Sequence, residues 1–188
     1  MPGQWVNLER RGLQKLWHPA PFLKQATAEV LREFQQKPAP HVAFHVRGGD
    51  KFAEDQRGKR MSTRPEHLVA SFRAQYPSVQ GGTCMLIGDD HKLLDQTAAL
   101  VRQHLHCTVL RRGIEAGSKH EQAEFNGLPL EQRCAATHRL VVDLEVMAQA
   151  EYFVGSATSG MLFLVRSLRH AVYHKPPDTC VEASAVLS

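Results

Sequence analysis

The apolar positions of this chain fall into short segments whose period changes along its length. After Pro21, Leu23, Val30, Leu31 and Phe34 recur at helical spacing, which predicts an amphipathic helix over roughly residues 21–36, stopped by Lys37-Pro-Ala-Pro40. Residues 41–46 mix apolar and β-favouring side chains without strict alternation, as expected of a strand covered on both faces in a parallel sheet. Thr63-Arg-Pro-Glu66 reads as a capping box with proline in the first turn, opening a helix to about Ala74.

Gly81-Gly82 releases a second strand, Thr83 to Ile87, which ends at Gly88-Asp89-Asp90 and passes into a helix over roughly 91–105. Cys107 to Leu110 makes a short third strand. Residues 111–133 are polar and aperiodic, so they read as a functional loop or a disordered connector. From Cys134 the pattern returns: Leu140, Val141, Leu144, Met147 and Ala148 form one helical stripe, and Glu151 to Val154 a strand. Gly155-Ser-Ala-Thr-Ser-Gly160 turns the chain into a helix over about 160–168, and Ala171-Val-Tyr173 reads as the last strand. Residues 1–20 form a lead-in and 176–188 a loose tail. Strands alternating with helices in this order predict one α/β domain, a Rossmann-like three-layer arrangement with a parallel sheet of about five strands.

Composition narrows this little. The chain of 188 residues is long enough for one sizeable core, with prolines and glycines dispersed and no repeat at solenoid periods. Its net charge of +4 permits an anionic ligand but is too modest to argue for a nucleic-acid surface. The four cysteines, Cys84, Cys107, Cys134 and Cys180, lie far apart with no CxxC pair, which predicts reduced, mostly buried thiols and no zinc site. No apolar run reaches the ~20 residues of a membrane span, and no signal peptide is evident.

In open α/β sheets, ligands bind beyond the carboxyl ends of the strands. Three such ends are equipped here: His45-Val-Arg47-Gly48-Gly49-Asp50-Lys51, Gly88-Asp89-Asp90, and Gly155-Ser156-Ala-Thr158-Ser159-Gly160. Arg47 offers a planar fork suited to phosphate, and the glycines let a ligand approach the backbone. Thr158 and Ser159 offer hydroxyls to phosphate or sugar, or serve as a plain helix cap. Asp143, at the edge of its apolar stripe, either accepts hydrogen bonds from a ligand or faces solvent. The nucleophile elbow, GxGxxG and Walker patterns are all absent.

These segments together resemble the GDP-fucose-dependent fucosyltransferases of the α1,6 type, related to the Nod-factor enzymes and more distantly to protein O-fucosyltransferases. The family motif HxRRxDK is similar to His45-Val-Arg47-Gly48-Gly49-Asp50-Lys51, with Gly48 in place of the second arginine. His138 to Val154 resembles the family's LDIHFLSQADFLV region, Ser156-Ala-Thr158-Ser159 its TFSS, and Leu16 to Leu23 its preceding helix. The resemblance implies the nucleotide half of a GT-B-type fold. It implies GDP or GDP-fucose as the bound partner, with Arg47 on the diphosphate and His45 against the nucleotide. Asp143, Thr158 and Ser159 would contact the nucleotide or its phosphates, and Asp89 or Asp90 would line the guanosine side. The family's catalytic glutamate falls at Asp55, beside Glu54. Either carboxylate would deprotonate a glycan acceptor hydroxyl in a metal-free inverting transfer with no cofactor beyond the donor. Gly160 replaces a family glutamine, and the acceptor half, stem and anchor of such enzymes are not among these residues. The resemblance points to the Golgi lumen, the lack of a signal to the cytosol or a chain cut from something longer. An active transferase, a GDP-sugar-binding module without transfer and an unrelated Rossmann-like domain all remain open on the sequence.

Overall fold

The near-continuous apolar runs of the strands become alternating faces once helices cover them on both sides. The computed structural model describes residues 11–48, 64–113, 121–157 and 159–183. Its first half comprises α1 (Pro21–Gln35), β1 (His41–Val46), α2 (Pro65–Gln75), β2 (Thr83–Gly88), α3 (His91–Leu105) and β3 (Thr108–Gly113). There follow α4 (Gln122–Gly127), α5 (Leu130–Gln149), β4 (Tyr152–Ser156), α6 (Gly160–Ala171), a 3-10 turn (Pro177–Thr179) and β5 (Cys180–Ala183). All strand neighbours are parallel, in the order β3-β2-β1-β4-β5. This is the predicted Rossmann-like α/β architecture.

On one face, Val42, Phe44, Val46, Cys84 and Leu86 pack with Leu68, Val69 and Phe72 of α2 and Leu94, Ala98 and Val101 of α3. On the other, Ala43, Met85, Ile87 and Phe153 pack with Leu31 and Phe34 of α1, Val146 and Met147 of α5, and Leu162, Val165 and Leu168 of α6. Successive side chains of a strand point to opposite faces, so an unbroken apolar strand requires two helical layers. Residues 11–16 are also helical, and Leu13 and Trp17 rest against the second core. Trp17 Nε1 donates to buried Glu145 at 2.5 Å, which ties this segment to α5.

The structure departs from the sequence expectation at several places, each for a physical reason. Ala171 ends α6 rather than opening a strand, and Val172 and Tyr173 continue the packing of that helix on the core. The last strand is Cys180–Ala183, inside the stretch expected to be a loose tail, where Phe153↔Cys180 and Ser156↔Ala183 are partners. Three apolar residues do not distinguish helix from strand, and β5 is short enough to look like coil. The stretch 111–133 holds the end of β3, all of α4 and the start of α5. Its helices were invisible to the pattern because residues 122–133 are mostly exposed and carry no apolar stripe. Arg64, without a side-chain bond, is the N-cap of α2; the proposed cap Thr63 lies outside the described residues. Cys84 and Cys107 form a disulfide, against the expectation of reduced thiols, because the β2–β3 pairing brings their Cα atoms to 5.9 Å. Cys134 and Cys180 are free.

Among the described residues no helix is long and apolar enough to cross a membrane.

Candidate functional site at the carboxyl edge of the sheet

Val46, Gly88 and Gly113 stand level across β1, β2 and β3, and Ser156 and Ala183 are level across β4 and β5. The residues that follow these positions therefore gather on one edge. The chain steps from β1 to β2 to β3 in one direction and then places β4 on the other side of β1, so the topological switch point lies between the ends of β1 and β4. Arg47 and Gly48 leave β1 there, and Ser156 and Ser159 leave β4.

The Arg47 guanidinium forms an ion pair with the Asp89 carboxylate, both side chains largely buried. Asp89 Oδ1 also accepts from the Gly48 backbone N–H at 2.6 Å. A Cβ at position 48 would lie 2.5 Å from Asp90 Cβ and 2.7 Å from Leu93 Cδ1, so the turn after β1 is seated directly on the start of α3. Only a residue without a side chain fits that approach. Asp90 caps α3, accepting from Leu93 N–H at 3.0 Å.

His45 is 5% exposed, and its Nδ1 has no hydrogen-bond partner among the described residues. Burial, reinforced by the positive charge of Arg47, lowers its pKa to about 4, so the ring is neutral at physiological pH. Ser159 caps α6 by accepting from Met161 N–H at 3.2 Å, which realises the plain capping role weighed for it. Ser156 is fully buried at the end of β4. Asp50, Lys51, Glu54, Asp55 and Thr158 lie outside the described residues.

Beyond the end of β3 a cavity of about 320 Å³ is lined by His91 and Leu94 of α3, Arg111, Arg112 and Gly113 of β3, and Arg139 and Asp143 of α5. Asp143 is buried and accepts from Arg112 Nε at 2.7 Å. Burial raises its pKa; the Arg112 charge and hydrogen bond oppose the rise without cancelling it. Arg111 pairs with Asp95, which also faces His91 at 3.3 Å. Gly113 has φ +130°, and a Cβ there would meet the Gly88 backbone, so this position of the lining is held to a residue without a side chain.

Sequence reasoning missed Arg111, Arg112 and His91. The available signal was an arginine pair at the end of a strand, hidden by assigning the residues after Leu110 to a loop.

The architecture is similar to that of a solved structure. POFUT1, a GDP-fucose protein O-fucosyltransferase solved in complex with GDP, superposes with a TM-score of 0.52 at 12% sequence identity. The match covers 86% of this chain and 46% of the POFUT1 chain, so the chain spans about half the length of that neighbour. The two chains share a Rossmann-like α/β fold. No family model matches the sequence, and no curated protein does.

Proposed function

We propose that this chain is the donor-binding half of a GDP-fucose-dependent glycosyltransferase of the α1,6 type, acting by metal-independent inverting transfer. The observation that carries the reading is Arg47, held at the tip of β1 beside the switch point of a fold shared with a GDP-bound fucosyltransferase. The diphosphate lies on Arg47, where a charge-assisted pair contributes about 1.5–3 kcal/mol. Neutral His45 lies against the nucleotide. The guanine enters the cavity at β3, two strand spacings or roughly 10 Å along the edge, where Asp143 accepts from its ring and amino N–H groups.

In the transfer step an acceptor hydroxyl oxygen bonds to the fucose anomeric carbon from the face opposite the diphosphate. The bond from that carbon to the β-phosphate oxygen breaks, and its electron pair leaves with GDP. Asp55 or Glu54 takes the hydroxyl proton, while Arg47 stabilises the charge that develops on the departing diphosphate.

Calorimetry with GDP, GDP-fucose and a UDP-sugar tests the donor. A preference for the guanine nucleotides is expected, and Arg47→Lys should weaken GDP binding about tenfold because an ammonium cannot reproduce the planar fork. Equal affinity for the UDP-sugar overturns the reading. A second reading, a GDP-sugar-binding module without transfer, is favoured by Gly48: the position of the family's second arginine has no side chain here, and even a Cβ there would meet Asp90 and Leu93. Fucosyl transfer and donor hydrolysis, measured in wild type, Asp55→Asn and Glu54→Gln, separate the two; binding without turnover leaves the module.

A further inference from the structure

Arg47 is a long side chain at the end of a strand, and a phosphate clamp binds more tightly when its fork is aimed before the ligand arrives. Asp89 meets that need from the neighbouring strand. Its Oδ2 faces the Arg47 guanidinium and its Oδ1 accepts from the Gly48 N–H at 2.6 Å, so one carboxylate fixes both the side chain and the turn that carries it. Asp89 is itself fixed, because it directly follows β2 and precedes Asp90, the cap of α3. Gly48 is seated closely on Asp90 and Leu93, so the turn that carries Arg47 packs on the same helix start that follows this carboxylate.

We propose that Asp89 is the positioning residue for Arg47: its carboxylate holds the guanidinium at the β1–β2 edge so that the diphosphate meets an already oriented donor. The proposal rests on the GDP-sugar reading of the site and assigns Asp89 to the phosphate end of the ligand rather than to the nucleoside. Orienting an arginine in advance removes the cost of ordering it on binding. That gain applies only to ligands that carry the phosphates.

The test uses the full chain in three forms, wild type, Asp89→Asn and Asp89→Ala. The amide of Asp89→Asn keeps an oxygen for the Gly48 N–H and removes only the charge that holds Arg47. Calorimetry should show GDP affinity lowered about tenfold in Asp89→Asn, and further in Asp89→Ala, with guanosine affinity unchanged in both. Unchanged or increased GDP affinity would overturn the proposal, the latter by showing that the carboxylate competes with the phosphate. An equal loss for guanosine would also overturn it, by reducing Asp89 to a structural role.

Nitrogen NMR of labelled arginine without ligand decides independently whether Asp89 holds the side chain, with Arg47→Lys identifying the signal. Slow guanidinium rotation in the wild type that becomes fast in Asp89→Asn is expected. The same rotation rate in both sinks the proposal. If the wild type shows no guanine preference, the GDP-sugar reading fails on that result alone, and the spectra still report on Asp89.

Discussion

His45 illustrates how one side chain links the core to the ligand edge. It occupies a strand position that alternation gives to the interior, next to the arginine that the same strand delivers to its tip. Burial and the Arg47 charge both disfavour its protonated form. Its folded pKa of about 4 lies below the ordinary value of 6.5, so the unfolded chain binds this proton more readily as pH falls. The stabilising contribution is therefore fully present above about pH 6.5 and is lost progressively toward pH 4, by up to about 3 kcal/mol. Urea midpoints measured at pH 7 and pH 4.5 should differ more in the wild type than in His45→Leu, which cannot titrate. Equal slopes in the two proteins would show that His45 is not the acid-sensitive group. Gly48, three residues on, was legible as a departure from the family motif but not as a steric requirement, because the atoms that forbid a Cβ come from α3.

Secondary-structure elements were legible where their environment was uniform along their length. Helix α3 matched its expected span because an apolar stripe from Leu93 to Leu105 and the Asp90 cap act within the segment itself. Helix α5 was half hidden: its second half is buried from Val142 to Ala148, while its first half projects into solvent with no stripe to read. Its projecting half also carries Arg139, a wall of the cavity, so the illegible part of the helix is part of the candidate site. The disulfide belongs to this level too, since it ties β2 to the turn before β3 and encloses α3, whose first turn supports Gly48. Closing a loop of sequence separation 23 contributes about 3 kcal/mol in the chain-entropy account. The double variant Cys84→Ala, Cys107→Ala should lose about that much in denaturant unfolding. Peptide mapping without reductant should recover the Cys84 and Cys107 peptides as one linked species, and separate peptides would show that the bond is not formed.

Across the molecule, a buried cation ties α5 and α6 to the β4–β5 side of the sheet. Arg169 of α6 is 1% exposed and donates to the carbonyls of Met147 and Ala150 at the end of α5, to that of Glu151 before β4, and to Thr179 Oγ1 before β5. Burial lowers its pKa to about 10, so it stays charged, and the carbonyl ends of α5 supply the compensating negative potential. Arg169→Met should cost about 3–5 kcal/mol by leaving those carbonyls buried and unpaired. Arg169→Lys should recover only part of it, because three donors on one nitrogen cannot span all three elements. Thermal and urea unfolding measure both, and a loss under about 1 kcal/mol in Arg169→Met would contradict this role.

What the residues alone decided is local: the period of the apolar positions marked four of the five strands and most helices, and placed Arg47 at a strand tip. The pairings waited for tertiary structure. Asp89 meets Gly48 from 41 residues away, Arg112 meets Asp143 from 31, and Cys84 meets Cys107 from 23. Each of these depends on which strands are neighbours and at what register, and periodicity along one segment carries no information about the segment beside it. The ligand edge is therefore written in the sequence as separate strand endings, and only the order β3-β2-β1-β4-β5 assembles them into a site.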